Sequence, residues 1–282
     1  MTGSATDHSP FVPLTGRRGR KRRQDALRQL LSDLCRADFD RRHPDARFGP
    51  VVVLIASYLE ADNIGAVLKA VPNEVDGLGV STLVVVDGGD DGTEDIVAEH
   101  GAYCARFPVN MGHGVALQLG YRLAREHGAR YVVTVDADGQ NDPTEIPDLI
   151  APVLAGTKDF VIGSRRLGRD DTTDRFRRAG VVLFAAVISA LTRQHLTDTS
   201  SGFRALRVEV LEDVTLEQEQ YQSAELVISA AMRHWRLGER PTVWHPRASG
   251  QSKKGHNVFF GVHYARVIVQ TWLRDRRPFP SS

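Results

Sequence analysis

The sequence predicts an α/β fold built on an open, mostly parallel sheet flanked by helices. Short, near-continuous hydrophobic runs rich in β-branched residues occur at VVVLIA (51–56), TLVVV (82–86), YVVTV (131–135) and FVIG (160–163). Such runs suit parallel strands covered on both faces. Between them, residues 62–71, 93–100, 114–127 and 143–155 carry helical periodicity. Strand alternating with helix implies right-handed crossovers, and in such sheets ligands bind outside the carboxyl ends of the strands. The third observation is polar: SYLEADN, DGGDDGT and DADGQND follow the first, second and third of those strands. Three acidic loops therefore converge on one crevice.

Taken in order, residues 1–20 read as a disordered basic tail, because GRRGRKRR at 16–23 is a dense basic run. Residues 21–49 read as a helical extension and linker. Leu27, Leu30, Leu31, Leu34 and Cys35 recur at three- and four-residue spacing and form one apolar stripe. Docking on the chain's own domain is the simplest use of that stripe; a homodimer contact and a membrane-surface anchor are the alternatives. The main domain spans 50–275 and a short tail 276–282. Within the domain, Pro143 suits a first helical turn. AGVVLFAAVISAL (179–191) has 13 residues, short of the ~20 that a spanning helix needs. Val258, Val262, Ala265, Val269 and Trp272 follow helical spacing near the end, and this face is expected to pack on the domain.

Bulk properties exclude several classes. The 282 residues are 41% hydrophobic and 25% charged, enough for a sizeable core. A net charge of +1 argues against a dedicated nucleic-acid binder. No apolar core follows the N-terminal charges, so no signal peptide is expected. Cys35 and Cys104 match no metal or redox spacing, which fits reduced thiols and a cytoplasmic location.

The chemistry concentrates at Asp136 and Asp138. Any one acidic loop is explained by helix capping, and Asp90 and Asp142 are read that way. Two carboxylates at one strand end repel each other unless a cation compensates, and oxygen donors select a hard one, Mg²⁺ or Mn²⁺. Such an ion with few protein ligands keeps positions for phosphates, which points to a diphosphate substrate. GxGxxG and a Walker lysine are absent, so neither a dinucleotide site nor a P-loop is supported.

The order SYLEADNI, VVVDGGDDGT, NMGHGVALQLGY, VVTVDADGQNDP, VIGSRR, DTSSGFRALR and HPRASGQSKKG closely resembles family 2 glycosyltransferases of the GT-A fold. The branch it is most similar to is that of the dolichol-phosphate mannose synthases, the polyprenyl-phosphate glycosyltransferases. The resemblance implies that Glu60 and Asp87 hold the ribose and base of a nucleotide-sugar, with Ala56 and Tyr58 lining that end and His113 near a phosphate. It implies that Asp136, Asp138 and Gln140 form the metal and diphosphate site, a DXD motif. Arg165, Arg247, Ser252 and Lys253 match positions near the transferred sugar and the acceptor phosphate. Asp198, Gly202, Phe203 and Arg204 match the stretch that closes the sugar pocket. Arg177 and Arg178 precede a helix that is interfacial in the family. Asp198, Glu225 and His263 are candidates for a general base, which a hydroxyl acceptor would need and a phosphate acceptor would not.

The implied activity is metal-dependent, inverting transfer from a GDP- or UDP-sugar to a polyprenyl phosphate or a small soluble acceptor. The protein would sit in the cytoplasm, with peripheral contact at the inner membrane face as the alternative. A flavin-free nucleotide-sugar pyranose/furanose mutase and a non-catalytic nucleotide-sugar binder are the other readings. The first loop reads A-S-Y-L-E where P-A-Y-N-E is usual, and the second D-G-G-D-D-G-T where D-D-G-S-x-D-G-T is usual. His113 replaces a frequent lysine. These departures leave sugar and base open.

Overall fold

The run at 51–56 becomes the centre of a sheet, and its hydrophobicity on both faces is explained by what covers each one. In the computed structural model, which describes residues 17–172, 175–247 and 257–276, Val51 to Ile55 have no exposed surface. The elements in chain order are α1 (Arg17–Arg42), β1 (Val51–Ser57), α2 (Ala61–Ala70), β2 (Glu74–Val75), β3 (Leu78–Asp87), α3 (Thr93–Glu99), β4 (Tyr103–Phe107), α4 (His113–Glu126) and β5 (Tyr131–Asp136). A 3₁₀ turn (Pro143–Glu145) leads into α5 (Ile146–Leu154), followed by β6 (Phe160–Asp170), α6 (Arg175–Thr192), β7 (Arg204–Arg207), α7 (Val208–Asp213), α8 (Gln222–Met232), β8 (Leu237–Trp244) and α9 (Asn257–Asp275).

The strands lie in the order β4-β3-β1-β5-β7-β6-β8, with β2 paired to the start of β3. β1 pairs in parallel with β3 and β5, β3 with β4, and β6 with β8. β7 runs antiparallel between β5 and β6. Alternation along β1 sends Val52, Leu54 and Ala56 to one core layer and Val51, Val53 and Ile55 to the other. The first layer includes Phe39, residues of α4 and residues of α8; the second includes residues of α2 and α5. The register sets Ala56 against Asp136 and Ser57 against Val86, so the three acidic loops leave one edge side by side.

All four expected strands and all four expected helices form. β4, β7 and β8 carry no comparable signal and are set by pairing. The helix α1 begins at Arg17, inside the segment read as tail, and residues 1–16 lie outside those described. Its apolar stripe divides. Leu31 and Cys35 pack inward together with Phe39, while Leu27, Leu30 and Leu34 are 55%, 55% and 56% exposed. The C-terminal helix meets the expectation at Trp272, which packs on the core, but is otherwise turned: Tyr264, Val267, Ile268 and Thr271 are buried, whereas Val262, Ala265 and Val269 face outward, and the Val258 side chain lies outside those described. α9 is apolar on more than one side, and its contacts with α8 and α6 decide which side is covered. On α6, Ala185 and Ile188 are buried and Val182, Leu183 and Val187 are exposed. No helix among the described residues is long and apolar enough to cross a membrane. Cys35 and Cys104 are free and buried, and burial pushes their thiols up to about 11 and about 12.

Candidate active site

Asp136 ends β5, and its carboxylate rests directly on the backbone of the DTSSGFR loop. A Cβ on Gly202 would lie 2.5 Å from Asp136 Oδ1, so a glycine is needed for this approach. Thr134 Oγ1 donates to the Gly202 carbonyl at 2.6 Å and holds the loop there. Two residues on, Asp138 is nearly buried. Its Oδ1 accepts the Gln140 amide N–H at 3.1 Å, and its Oδ2 accepts Arg247 Nη2 at 2.8 Å. Arg247 Nη1 donates to Glu60 Oε1 at 3.0 Å, and Asn63 Nδ2 donates to Glu60 Oε2 at 2.8 Å. Gln140 and His245 are tied by backbone and side chain: His245 N donates to the Gln140 carbonyl at 2.9 Å, and Gln140 Nε2 to the His245 carbonyl at 3.2 Å. Glu60, Asp138, Gln140 and Arg247, expected at one crevice, are therefore in one network. It links the first acidic loop, the third and the segment after β8.

Asp87, at the end of β3, is buried, and its two oxygens accept the amides of Met111 and Gly112 at 2.7 and 2.8 Å. It shapes the NMGHG turn that starts α4. Burial pushes its carboxyl up to about 6 against those hydrogen bonds. Ala56 is buried and Tyr58 half-buried on the rim of the same edge, and His113 is exposed at the first position of α4. The expected Asp90 cap is made by its neighbour: Asp91 accepts the Ala61 and Thr93 amides. Asp142 caps the 3₁₀ turn through Thr144 N at 2.9 Å.

Arg165 and Asp198 form a buried bidentate pair, Nε to Oδ2 at 2.6 Å and Nη2 to Oδ1 at 2.8 Å. Arg165 also donates to Ser200 Oγ at 2.7 Å, and its guanidinium lies 4.7 Å from the Trp244 ring centroid. Burial acts to raise the Asp198 carboxyl, but the Arg165 hydrogen bonds outweigh it and hold the group below the usual range. Removing one member of such a pair costs about 3–5 kcal/mol, because the other is left as an uncompensated buried charge. Glu239, which sequence reasoning missed, accepts the amides of Thr197 and Asp198 at 2.9 and 2.8 Å and supports the loop from below.

Several expectations are corrected. Asp198 is held by Arg165 and is not placed to take a proton. Glu225 is fully buried; it accepts the Glu217 and Gln218 amides and pairs with Arg274 at 2.8 Å, fixing the loop before α8. Arg204 is buried, with Nε on the Ser201 carbonyl at 2.7 Å and Nη2 on the Thr199 carbonyl at 3.1 Å, so it braces the loop from inside. Burial lowers its guanidinium from the ordinary value. Phe203 is a core side chain against Gly163. His263 is exposed on α9. Ser252 and Lys253 lie outside the described residues.

Beside Arg165 opens a cleft of about 270 Å³ lined by Arg165, Arg166, Arg169, Asp170, Arg178 and the start of α6. Arg178 is anchored by donating to the Asp170 carbonyl at 2.7 Å and to the Thr172 carbonyl. Three of these guanidiniums are already paired, Arg165 with Asp198, Arg169 with Asp171 and Arg178 with Asp170, and Arg166 completes a mostly basic lining.

Asp136, Asp138 and Gln140 present hard oxygen donors, the set that suits Mg²⁺ or Mn²⁺. Asp138 already receives a cation in the form of the Arg247 guanidinium. Among the described residues no three His, Cys, Asp or Glu side chains converge as a metal cluster.

Residues 52–215 match the model of the family described as "Glycosyl transferase family 2". The chain is 34% identical over 229 residues to a dolichyl-phosphate hexose transferase of Haloferax volcanii, covering 81% of this chain and 96% of that one. It is 28% identical over 237 residues to an undecaprenyl-phosphate mannosyltransferase of Micrococcus luteus, covering 79% and 93%. Among solved structures, glucosyl-3-phosphoglycerate synthase from Mycobacterium tuberculosis, in complex with Mn²⁺, UDP and glucosyl-3-phosphoglycerate, superposes with a TM-score of 0.62. That likeness spans 85% of this chain and 83% of the other at 18% identity, and it speaks for the fold. By its matched region, its relatives and its mostly parallel sheet with one inserted antiparallel strand, the chain belongs to glycosyltransferase family 2 and has the GT-A fold.

Proposed function

We propose that the protein transfers a sugar from a nucleoside-diphospho-sugar to a polyprenyl phosphate, with inversion at the anomeric carbon. The observation that carries the acceptor is the arginine-lined cleft beside Arg165, which we read as a second anion site. Exposed Val182, Leu183 and Val187 continue from it along α6 and suit an apolar tail. Two relatives are named for polyprenyl-phosphate acceptors. A mutase has no use for a second anion site.

Transfer breaks the bond between the anomeric carbon and the diphosphate. Negative charge grows on the leaving phosphate and positive charge on the sugar. A divalent ion held by Asp136, Asp138 and Gln140 would supply Lewis acidity at the leaving phosphate. Glu60, Asp87, Ala56, Tyr58 and His113 line the nucleoside and phosphate side. Arg247, released from Asp138 and Glu60 by the incoming donor, remains within reach of its phosphates. Arg166, Arg169 and Arg178 orient the acceptor phosphate, which is already anionic and needs positioning and no deprotonation. The locked state of Asp198 and Glu225 agrees with a reaction that needs no general base. Ser252 and Lys253 are assigned to the acceptor side on resemblance.

The test is incubation of the purified protein with Mn²⁺ and a panel of GDP- and UDP-sugars, with and without polyprenyl phosphate. Acceptor-dependent release of the nucleoside diphosphate is expected. An isomeric nucleotide-sugar formed without acceptor would overturn the proposal.

A further inference from the structure

The outward face of α1 has no counterpart in the chemistry above. Arg23, Leu27, Leu30, Leu34, Ala37 and Arg41 succeed one another at alternating four- and three-residue steps and share one side of the helix, and all six are exposed. Residues 17–23 add Arg17, Arg18, Arg20, Lys21, Arg22 and Arg23 without an intervening acid. The first acid on the helix, Asp25, already pairs with Arg28 at 3.2 Å. The face is thus three leucines in a row, with a dense positive charge at one end.

Its direction is set by contacts with the domain. Arg28 pairs with Glu219 at 2.6 Å, and the Glu219 carbonyl accepts the Gly114 amide at the start of α4 at 2.7 Å. Lower down, Asp33 pairs with Arg122, and Asp40 meets His127 just past the end of α4 at 3.1 Å. The two helices therefore run side by side in the same direction, and α4 starts from the carboxyl edge of the sheet. At ~1.5 Å per residue, Lys21 stands about 10 Å beyond Arg28. The basic run projects past the rim on the side where the crevice opens.

We propose that this face of α1 docks on an anionic membrane surface, leucines toward the acyl boundary and arginines on lipid phosphates. A leucine stripe with a dense basic end is the pattern of a helix lying in the interface, where apolar burial and attraction to anionic headgroups act together. A second copy suits the face less well. Parallel pairing sets Arg23 against Arg23, and antiparallel pairing about Ser32 sets Arg23 against Arg41. The apolar seam is also shorter than the three to four heptads of a sustained coiled coil. An anionic surface complements the dense basic end, whereas Arg41 at the other end is already paired with Asp38. The docking stands independently of the acceptor proposed above, because it concerns bulk anionic lipid and no transfer step.

The test is co-sedimentation of the full chain with phosphatidylglycerol/phosphatidylcholine vesicles and with pure phosphatidylcholine vesicles. Binding to the anionic vesicles alone is expected, and it weakens as salt rises. R22E/R23E and, separately, L27S/L30S/L34S are each expected to lower the bound fraction roughly tenfold or more. All five positions are exposed, so unchanged circular-dichroism melting verifies folding of both variants. Equal binding to neutral vesicles, or full binding by both variants, overturns the proposal. So does a lipid-free wild-type dimer that L27S/L30S/L34S converts to monomer, since that result gives the stripe to a second copy.

Discussion

Arg247 touches Asp138 and Glu60 at once, and this single guanidinium joins two loops that leave different strands. The arrangement makes Asp138 the residue whose loss is most informative. Asp138→Ala removes a donor for the cation but leaves Arg247 its pair with Glu60, so the fold should hold. Steady-state assay is expected to show a fall in kcat of about 10²–10³-fold, comparable to removing one preorganised electrostatic contact in a water-poor site, with a melting temperature close to wild type. Asp87 offers a pH test. Its folded value of about 6 lies above the ~3.9 of an unfolded aspartate. The native state thus holds the extra proton between these values. The stability contribution is complete below about pH 4 and is lost as pH rises through about 6. Urea titrations across that window should show a downward slope with pH that is reduced in Asp87→Asn; an unchanged slope would assign it elsewhere.

Among the elements, α1 and α9 show how a helix divides its surface. Phe39 has no exposed surface and packs on Phe48 and Tyr103 with ring centroids 6.1 and 6.2 Å away. The α1 helix is thereby part of the core and no loose appendage. Phe39→Ala should cost ~3–5 kcal/mol, as for other large-to-small changes in a packed interior. Val262 on α9 is 65% exposed, and Val262→Ser should stay within about 0.5 kcal/mol. Chemical denaturation of the two variants side by side checks both; a large loss from Val262→Ser would mean that its face is covered in solution. The loop at 215–221 is a third case. Glu225 and Arg274 pin it from below, and its Gln218 carbonyl would lie 2.3 Å from a Cβ on Gly114, so it closes tightly over the start of α4.

At the scale of the whole molecule, the proposed donor and acceptor regions sit on opposite halves of one sheet. The β4-β3-β1-β5 half carries the acidic loops, and the β7-β6-β8 half carries the arginine cleft. Asp136 lies where they meet, because β7 pairs with β5 and its preceding loop crosses the carboxylate. A ligand that engages the acidic half should stabilise the whole fold. Mn²⁺ with GDP or UDP near 100 times its Kd is expected to add about 2.7 kcal/mol, seen as a rise of several degrees in thermal melting. EDTA should reverse the metal-dependent part, and Asp138→Ala should lack it. A shift equal in the presence and absence of metal would count against a cation at this site.

Much of this was legible in the chain itself. Strands 51–56, 82–86, 131–135 and 160–163, the helices between them and the acidic strand ends follow from hydrophobic period and from carboxylates placed just past it. Both signals are local, so one sequence carries them. The resemblance of the ordered motifs added the family. What the tertiary structure decided was partnership. β7 and β8 are short or mixed runs, RALR and LGERPTVW, that become strands because β5 and β6 offer free edges. Asp198 and Arg204 read as site residues but are turned inward, one locked by Arg165 and the other bonded to loop carbonyls. Leu31 and Leu34 look alike on a helical wheel, yet one faces the domain and the other solvent. Except for Arg204, whose carbonyl partners lie within five residues, the deciding neighbour is far away in sequence. Local pattern states what a residue can bury or bind, and only the packed chain states what it meets.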